Sequence, residues 1–403
     1  MTRRLTLRTA PLLLAAATLL AACSENQPLD AGARNPLTPR LTVTPTNAFS
    51  AIDVGLSHAC GLASGGRAWC WGRNNAAQIG DSTFTNRKVA VQVKQAGVSY
   101  VTLSAGASHT CAVATTGQAY CWGYNADGRL GDSTTSLRRV PVAVHPVGTI
   151  SFASISAGNQ HTCGVNGSGQ AYCWGSNASG QIGDNSTVYA KIATAVQQGG
   201  ATYTQIAAGN VHTCALDGGT GQAYCWGYGG DGQLGYGFTL GDSLPAAVSQ
   251  GGVSYSSIYT EYDYTCALDA SGQAWCWGVN TAGQLGDGTT TTQYTPVAVV
   301  QPSGGYTTLA LGTSSACGLT TAGQAYCWGA GLVGQLGDGN NSDSLSPVAV
   351  SQAGVTYTSI RAQASGFCAL DTVGQTWCWG RGDYGQLGNN ALGNSNVPVA
   401  VVH

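Results

Sequence analysis

Charge is scarce in this chain: Asp, Glu, Lys and Arg together make up 8% of its 403 residues. Methionine occurs once and phenylalanine five times. Mean hydropathy sits near zero, which argues against both a disordered tail and a polytopic membrane protein. The apolar run from Ala10 to Leu20 is too short to cross a bilayer as a helix. There is no nucleophile elbow, Walker loop, HExxH helix or EF-hand loop, so the usual sequence signs of hydrolase, nucleotide and calcium chemistry are missing. Neither CxxC nor HxxxH knuckles occur, which leaves zinc without its ordinary closing motif.

Glycine and cysteine are abundant instead, with 59 and 15 residues. Much glycine with little charge points to many short strands joined by tight turns. Setting Cys23 aside, fourteen cysteines fall into seven pairs: Cys60 and Cys70, Cys111 and Cys121, Cys163 and Cys173, Cys214 and Cys225, Cys266 and Cys276, Cys317 and Cys327, Cys368 and Cys378. The first member of each pair recurs every 51 or 52 residues, and the text around it repeats. Each copy offers four strand candidates, the size of a propeller blade, and seven copies suffice to close a ring. The expected fold is therefore all-β: a seven-bladed propeller of four-stranded antiparallel blades over residues 49–403.

Six of the pairs are ten positions apart and centre on a three-residue loop ending in glycine, such as Gly117. That loop places the two cysteines opposite each other on antiparallel strands, within disulfide reach. The fourth pair is eleven apart, with its extra residue inside the Gly218-Gly219-Thr220-Gly221 turn. One disulfide per blade follows. Seven tryptophans at one repeat position, from Trp71 to Trp379, read as packing between blades. His58, His109, His161 and His212 share another position and read as structural groups bonded to nearby backbone. The Gly-Asp turns at Asp81, Asp132, Asp184, Asp287 and Asp338 read as turn caps, having too few carboxylates for calcium. No metal or cofactor is called for.

The block Gly209-Asn-Val-His-Thr-Cys-Ala-Leu216, then Gly221 to Gly227, then Gly283-Gln-Leu-Gly-Asp287 resembles the regulator of chromosome condensation repeat. The resemblance covers about residues 49–402 and implies a seven-bladed propeller, a shape its members share without sharing an activity. Exchange activity on a small GTPase is not carried over, because the uniform 51–52 spacing leaves no room for the protruding wedge it needs. At the N-terminus, Arg3, Arg4 and Arg8 precede the apolar run, and Leu20-Ala21-Ala22-Cys23 resembles the lipobox of bacterial lipoproteins. That resemblance implies a signal peptide over residues 1–22, lipidation of Cys23, a flexible tether over 23–48, and export to the cell envelope, with Ser24 favouring the outer membrane. The mature chain would hold 13 basic and 18 acidic residues, a formal −5, which argues against nucleic acid as a partner.

The functional expectation is a non-enzymatic, monomeric, lipid-anchored scaffold that presents a loop face to a protein or an envelope polymer. The alternatives are a polysaccharide-active enzyme using acidic residues around the channel and a purely structural envelope protein. Because the core repeats, a partner should bind where the copies disagree. Those places are the Tyr259–Tyr264 stretch, the Tyr236–Asp242 loop and Gly331-Leu-Val333. Tyr236, Phe238, Tyr262 and Leu332 would be apolar anchors, with Tyr259 beside them and Glu261 and Asp263 setting charge preference.

Overall fold

A computed structural model describes residues 48–146 and 148–402. The expectations for the signal segment, Cys23 and nearly all of the tether lie outside the described residues.

The repeat folds as expected. In blade 1, β1 (Phe49–Val54), β2 (His58–Ala63), β3 (Arg67–Gly72) and β4 (Arg87–Gln92) form one antiparallel sheet in the order β1-β2-β3-β4. Six further sheets repeat this order. The first strand of every blade touches its counterparts on both sides, so the seven inner strands ring a central channel. The fourth strands lie outermost and carry Pro141, Pro245, Pro296, Pro347 and Pro398. Proline has no N–H to give a ladder, so it suits an edge and discourages pairing with another chain.

All seven cysteine pairs form disulfides between directly opposed residues, with Cα atoms 4.0–4.1 Å apart. The insertion in blade 4 is absorbed in its turn, and Cys214 still faces Cys225. In blade 2 the loop is the expected one: the Gly117 N–H donates to the Ala114 carbonyl at 2.9 Å, and Gly117 has φ +82.

A tryptophan joins each blade to the one before it. All seven are fully buried, and six donate their indole N–H to a backbone carbonyl of the preceding blade, as Trp122 does to Gln78 at 2.9 Å. The exception is Trp174, whose N–H has no acceptor. Its ring still packs in the seam, tilted at 56° to Phe152 with centroids 5.7 Å apart. The same device closes the ring: Trp71 of blade 1 donates to Gln386 of blade 7 at 3.0 Å, and the Phe49 N–H donates to the Gly374 carbonyl at 3.2 Å, with no strand exchanged among the described residues.

The glycine of each Gln-Leu-Gly run lies against that indole. At Gly286, φ is +67 and a Cβ would sit 2.6 Å from Nε1 of Trp328. Alanine there meets both a left-handed backbone and a buried ring that cannot retreat. Gly286→Ala is expected to cost about 3 kcal/mol, read as a lower urea midpoint with unchanged slope. An unchanged midpoint would show that the seam tolerates a side chain.

Candidate interaction surfaces

The four repeated histidines are structural, as expected, but their partner differs from the expected backbone. Each is fully buried, and its Nε2 meets a threonine hydroxyl of the next blade: His58 with Thr110, His109 with Thr162 and His161 with Thr213 at 2.8 Å, His212 with Thr265 at 3.0 Å. Each threonine donates its own hydrogen to a carbonyl of the histidine's blade, as Thr110 does to Gln78 at 2.8 Å. The hydroxyl must therefore accept from the imidazole, which places the proton on Nε2. The four Nδ1 atoms are left without partners. Burial holds His58, His161 and His212 down at about 3, and His109 well below its ordinary range. In blade 5 Tyr264 takes over, donating across the seam to the Gly312 and Ser315 carbonyls at 2.9 and 2.8 Å.

The Gly-Asp turns are capped as expected. Asp81 accepts from the Thr83 N–H and hydroxyl at 2.9 and 2.7 Å and from Asn74 at 3.2 Å, and it pairs with Arg87.

The channel body has a volume of about 410 Å³. Its wall is partly polar because one position of the inner strand, opposite the first cysteine of each pair, varies between blades. It is Asp53, Ser104, Ser156, Ala207, Tyr259, Ala310 and Arg361 in turn. Where the side chain is an acceptor, it reaches the next blade: Asp53 takes the Ala105 N–H at 2.8 Å, Ser104 the Ala157 N–H and Ser156 the Ala208 N–H, both at 3.0 Å. Arg361 Nε lies 3.4 Å from Asp53 Oδ1. Burial raises the Asp53 carboxyl despite the Arg361 charge.

The Tyr259–Tyr264 stretch is divided among three places. Tyr259 lies in the channel wall, with its hydroxyl 3.4 Å from Thr308 Oγ1. Glu261 stands at the narrow end of the channel, and burial pushes its carboxyl up to about 7. Tyr262 is exposed on the rim, and Tyr264 is in the seam. Burial and the Asp231 charge raise Asp263, while the Asn210 side chain, bonded to it, works the other way; Asp263 thus ties blade 5 to blade 4.

Strand order settles which rim the variable loops share. With β1-β2-β3-β4 antiparallel, the turns between strands one and two and between strands three and four leave on the same side. The Tyr262 turn, the Tyr236–Asp242 loop and Gly331–Val333 therefore occupy one rim. On it the blade 4 loop forms an aromatic cluster. The rings of Tyr236 and Phe238 are 6.0 Å apart, the Tyr236 hydroxyl donates to the Leu240 carbonyl, and the Gly237 N–H donates to the Tyr294 carbonyl of blade 5 at 2.9 Å. Phe238 is 66% exposed and Leu240 71%. Leu332, equally exposed, lines a separate shallow cleft with Asn341, Asn394, Ser395 and Asn396 between blades 6 and 7.

Charge is also segregated around the ring, a signal present in the sequence that repeat-by-repeat reading misses. Residues 192–360 hold nine acidic residues and neither lysine nor arginine. Residues 49–191 hold nine basic residues against five acidic. The aromatic cluster thus sits in the acidic sector.

An RCC1-like domain model matches residues 93–402, and an RCC1 repeat model matches residues 49–78. The chain belongs to the RCC1-like family. It is 30% identical over 358 residues to the ultraviolet-B receptor UVR8 of Arabidopsis thaliana, covering 87% of this chain and 81% of that one. Other curated relatives match over about half of this chain and about a fifth of their own length. Among solved structures, human WBSCR16 superposes with a TM-score of 0.76 at 23% identity, over 84% of this chain and 94% of that one. Prp20p of Saccharomyces cerevisiae, described with its binding to Gsp1p and histones, superposes with a TM-score of 0.73 at 20% identity, over 89% of this RCC1-like chain and 88% of its own.

Proposed function

We propose that this RCC1-like propeller is a non-enzymatic binding scaffold whose blade 4–5 rim engages a basic protein. The observation that carries this is the exposure of Phe238 and Leu240 beside Tyr236 and Tyr294, inside a sector with neither lysine nor arginine. Exposed aromatic anchors form hot spots, and single-sign surroundings select a partner of opposite charge. Export to the cell envelope through a lipidated Cys23 belongs to the same proposal, and it rests on the N-terminal sequence alone. The channel supports an enzyme less well. Asp53 and Glu261 both reach it, but Asp53 is engaged by Arg361 and the Ala105 N–H, whereas glycoside chemistry needs two carboxylates free to act on one bond.

Pull-down from envelope extract with the wild type and with Phe238→Ala/Tyr262→Ala tests the rim. The double variant should lose its specific partner by about tenfold or more, since two anchors of this kind contribute above 2 kcal/mol. Raised salt should weaken capture by the wild type. Equal recovery by a folded double variant would remove this rim from consideration.

A further inference from the structure

We propose that the part of the loop rim formed by blades 7, 1, 2 and 3 docks on the surface of an anionic membrane. One repeat position organises this surface. In every blade the loop between the third and fourth strands donates a backbone N–H to the second residue of the next blade's outer strand. Asn390 gives to the Lys88 carbonyl at 3.0 Å, Ser82 to Arg139 at 3.1 Å and Ser133 to Lys191 at 2.9 Å, and the other four blades repeat the bond. The residue at this position is thus held against a loop of the shared rim. It is Lys88, Arg139 and Lys191 in blades 1 to 3, and Ser243, Tyr294, Leu345 and Asn396 in blades 4 to 7.

These three cations face solvent without a carboxylate. All are exposed, and among the described residues none is ion-paired. The neighbouring acids are already taken: Asp81 by Arg87, Asp127 by Arg129, Asp132 by Arg138 and Asp383 by Arg381. Asp184 of blade 3 has no cation, and it accepts from the Ser186 N–H and hydroxyl at 3.1 and 2.8 Å. Arg73 adds a fourth unopposed cation at the blade 7 seam, lying 5.0 Å from the centre of the Tyr384 ring.

Apolar side chains stand among the charges. Phe84, Val188, Tyr189 and Leu392 are exposed on the same set of loops. Arg139 lies over the Phe84 ring at 5.5 Å and Lys191 over the Tyr189 ring at 5.8 Å. Beside them a cleft of about 560 Å³ is lined by Ser82, Arg138 and Arg139 together with Leu137, Val140 and Val142, so charge and hydrocarbon share one wall. This mixture favours one occupant. A free phosphate would meet the cations and leave the apolar tips in water. A phospholipid surface takes both, because headgroup phosphates attract the cations while aromatic and aliphatic tips enter the interface. The rest of the ring sets the orientation. Residues 192–360, with nine acidic residues and neither lysine nor arginine, are repelled by an anionic surface, so the propeller tilts onto its basic side. The Phe238 cluster then stays open, and the membrane surface does not rest on the proposal for that cluster.

Co-sedimentation tests this with vesicles of phosphatidylcholine alone and of phosphatidylcholine containing about one-third phosphatidylglycerol. The full-length protein carries Cys23→Ala throughout, so that no acyl chain contributes, and its N-terminal segment is the same in every arm. It should bind the anionic vesicles, ignore the neutral ones and be released by raised salt. Lys88→Asn/Arg139→Asn/Lys191→Asn, which installs the residue blade 7 already carries, should weaken binding on the order of a hundredfold, about fivefold for each cation. Phe84→Ala/Tyr189→Ala should weaken it about tenfold. Absence of binding to the anionic vesicles, or unchanged binding by either folded variant, overturns the proposal. Poly-L-glutamate supplies the macromolecular rival: if it binds as tightly as the vesicles at equal charge, the surface belongs to an acidic polypeptide and the membrane is ruled out. Phe238→Ala/Tyr262→Ala should sediment as the parent does, so failure of the rim reading and of this one are separable.

Discussion

Acidification from pH 7 to 4.5 should remove most of the stability of this propeller. The four seam histidines are buried and neutral, with His58, His161 and His212 held down to about 3 and His109 well below its ordinary value, against about 6.5 for an unfolded imidazole. A depressed folded value means that the stability is whole above pH 6.5 and is lost as pH falls toward 3. Each histidine contributes about 1.4 kcal/mol per pH unit in that window, so four lose on the order of 10 kcal/mol over two units. That is comparable to the whole stability of an ordinary domain. Protonation is costly here for a specific reason: it adds a hydrogen at Nδ1, which has no acceptor.

Some carboxylates work in the opposite direction. Glu261, raised to about 7, together with Asp53 and Asp263, also raised, favours the folded state as protons bind. Asp81, Asp132 and Asp269 are lowered, so their loss comes only below the ordinary carboxylate range. The net sign between pH 6.5 and 4.5 remains a loss. Urea titrations at several pH values should show uptake of up to about four protons on unfolding. His161→Gln should reduce that number by one. A stability that stays level from pH 7 to 4.5 would rule out the neutral tetrad.

The histidines also show where sequence reading stops. Their repeat position announced a structural role, but the partner, a threonine 52 or 53 residues onward, belongs to the next blade. Contacts within a blade were legible because they are local: cysteine spacing alone implied the hairpin register. Contacts between blades needed the order of strands and the direction of packing. The channel wall was hidden for a different reason. Its variable position changes from Asp53 to Ser104 to Tyr259 to Arg361, so it leaves no periodic trace. Glu261 was visible only as an exception to glycine, and its place at the narrow end of the channel needed the ring of inner strands. The shared rim of the Tyr236 and Tyr262 loops likewise became clear only from strand order. Tyr294, which lies beside the blade 4 loop, sits in an ordinary repeat and gave no signal.

The disulfides carry the second large effect. Charge-poor blades of about fifty residues have little to hold them except the seams and these links. In the chain-entropy account, closing a loop of about eleven residues removes roughly 3 kcal/mol of denatured-state freedom. Seven such links together amount to about 20 kcal/mol, more than the net stability of most domains. Chain lacking all seven should therefore fail to fold cooperatively, and refolding under reductant should yield no sharp thermal transition. The native protein should nevertheless resist reductant, because every one of the fourteen paired cysteines has zero exposure and exchange needs an accessible sulfur. Intact-mass analysis after alkylation without denaturant should find none of the fourteen modified, and after denaturation with reductant all of them. Replacing one pair, Cys266→Ala/Cys276→Ala, should cost about 3 kcal/mol and leave the other six intact. A fully reduced and alkylated chain that still melted cooperatively near the native temperature would show that the seams alone hold the ring. The links would then be dispensable to a fold whose blades already lock through tryptophan and histidine.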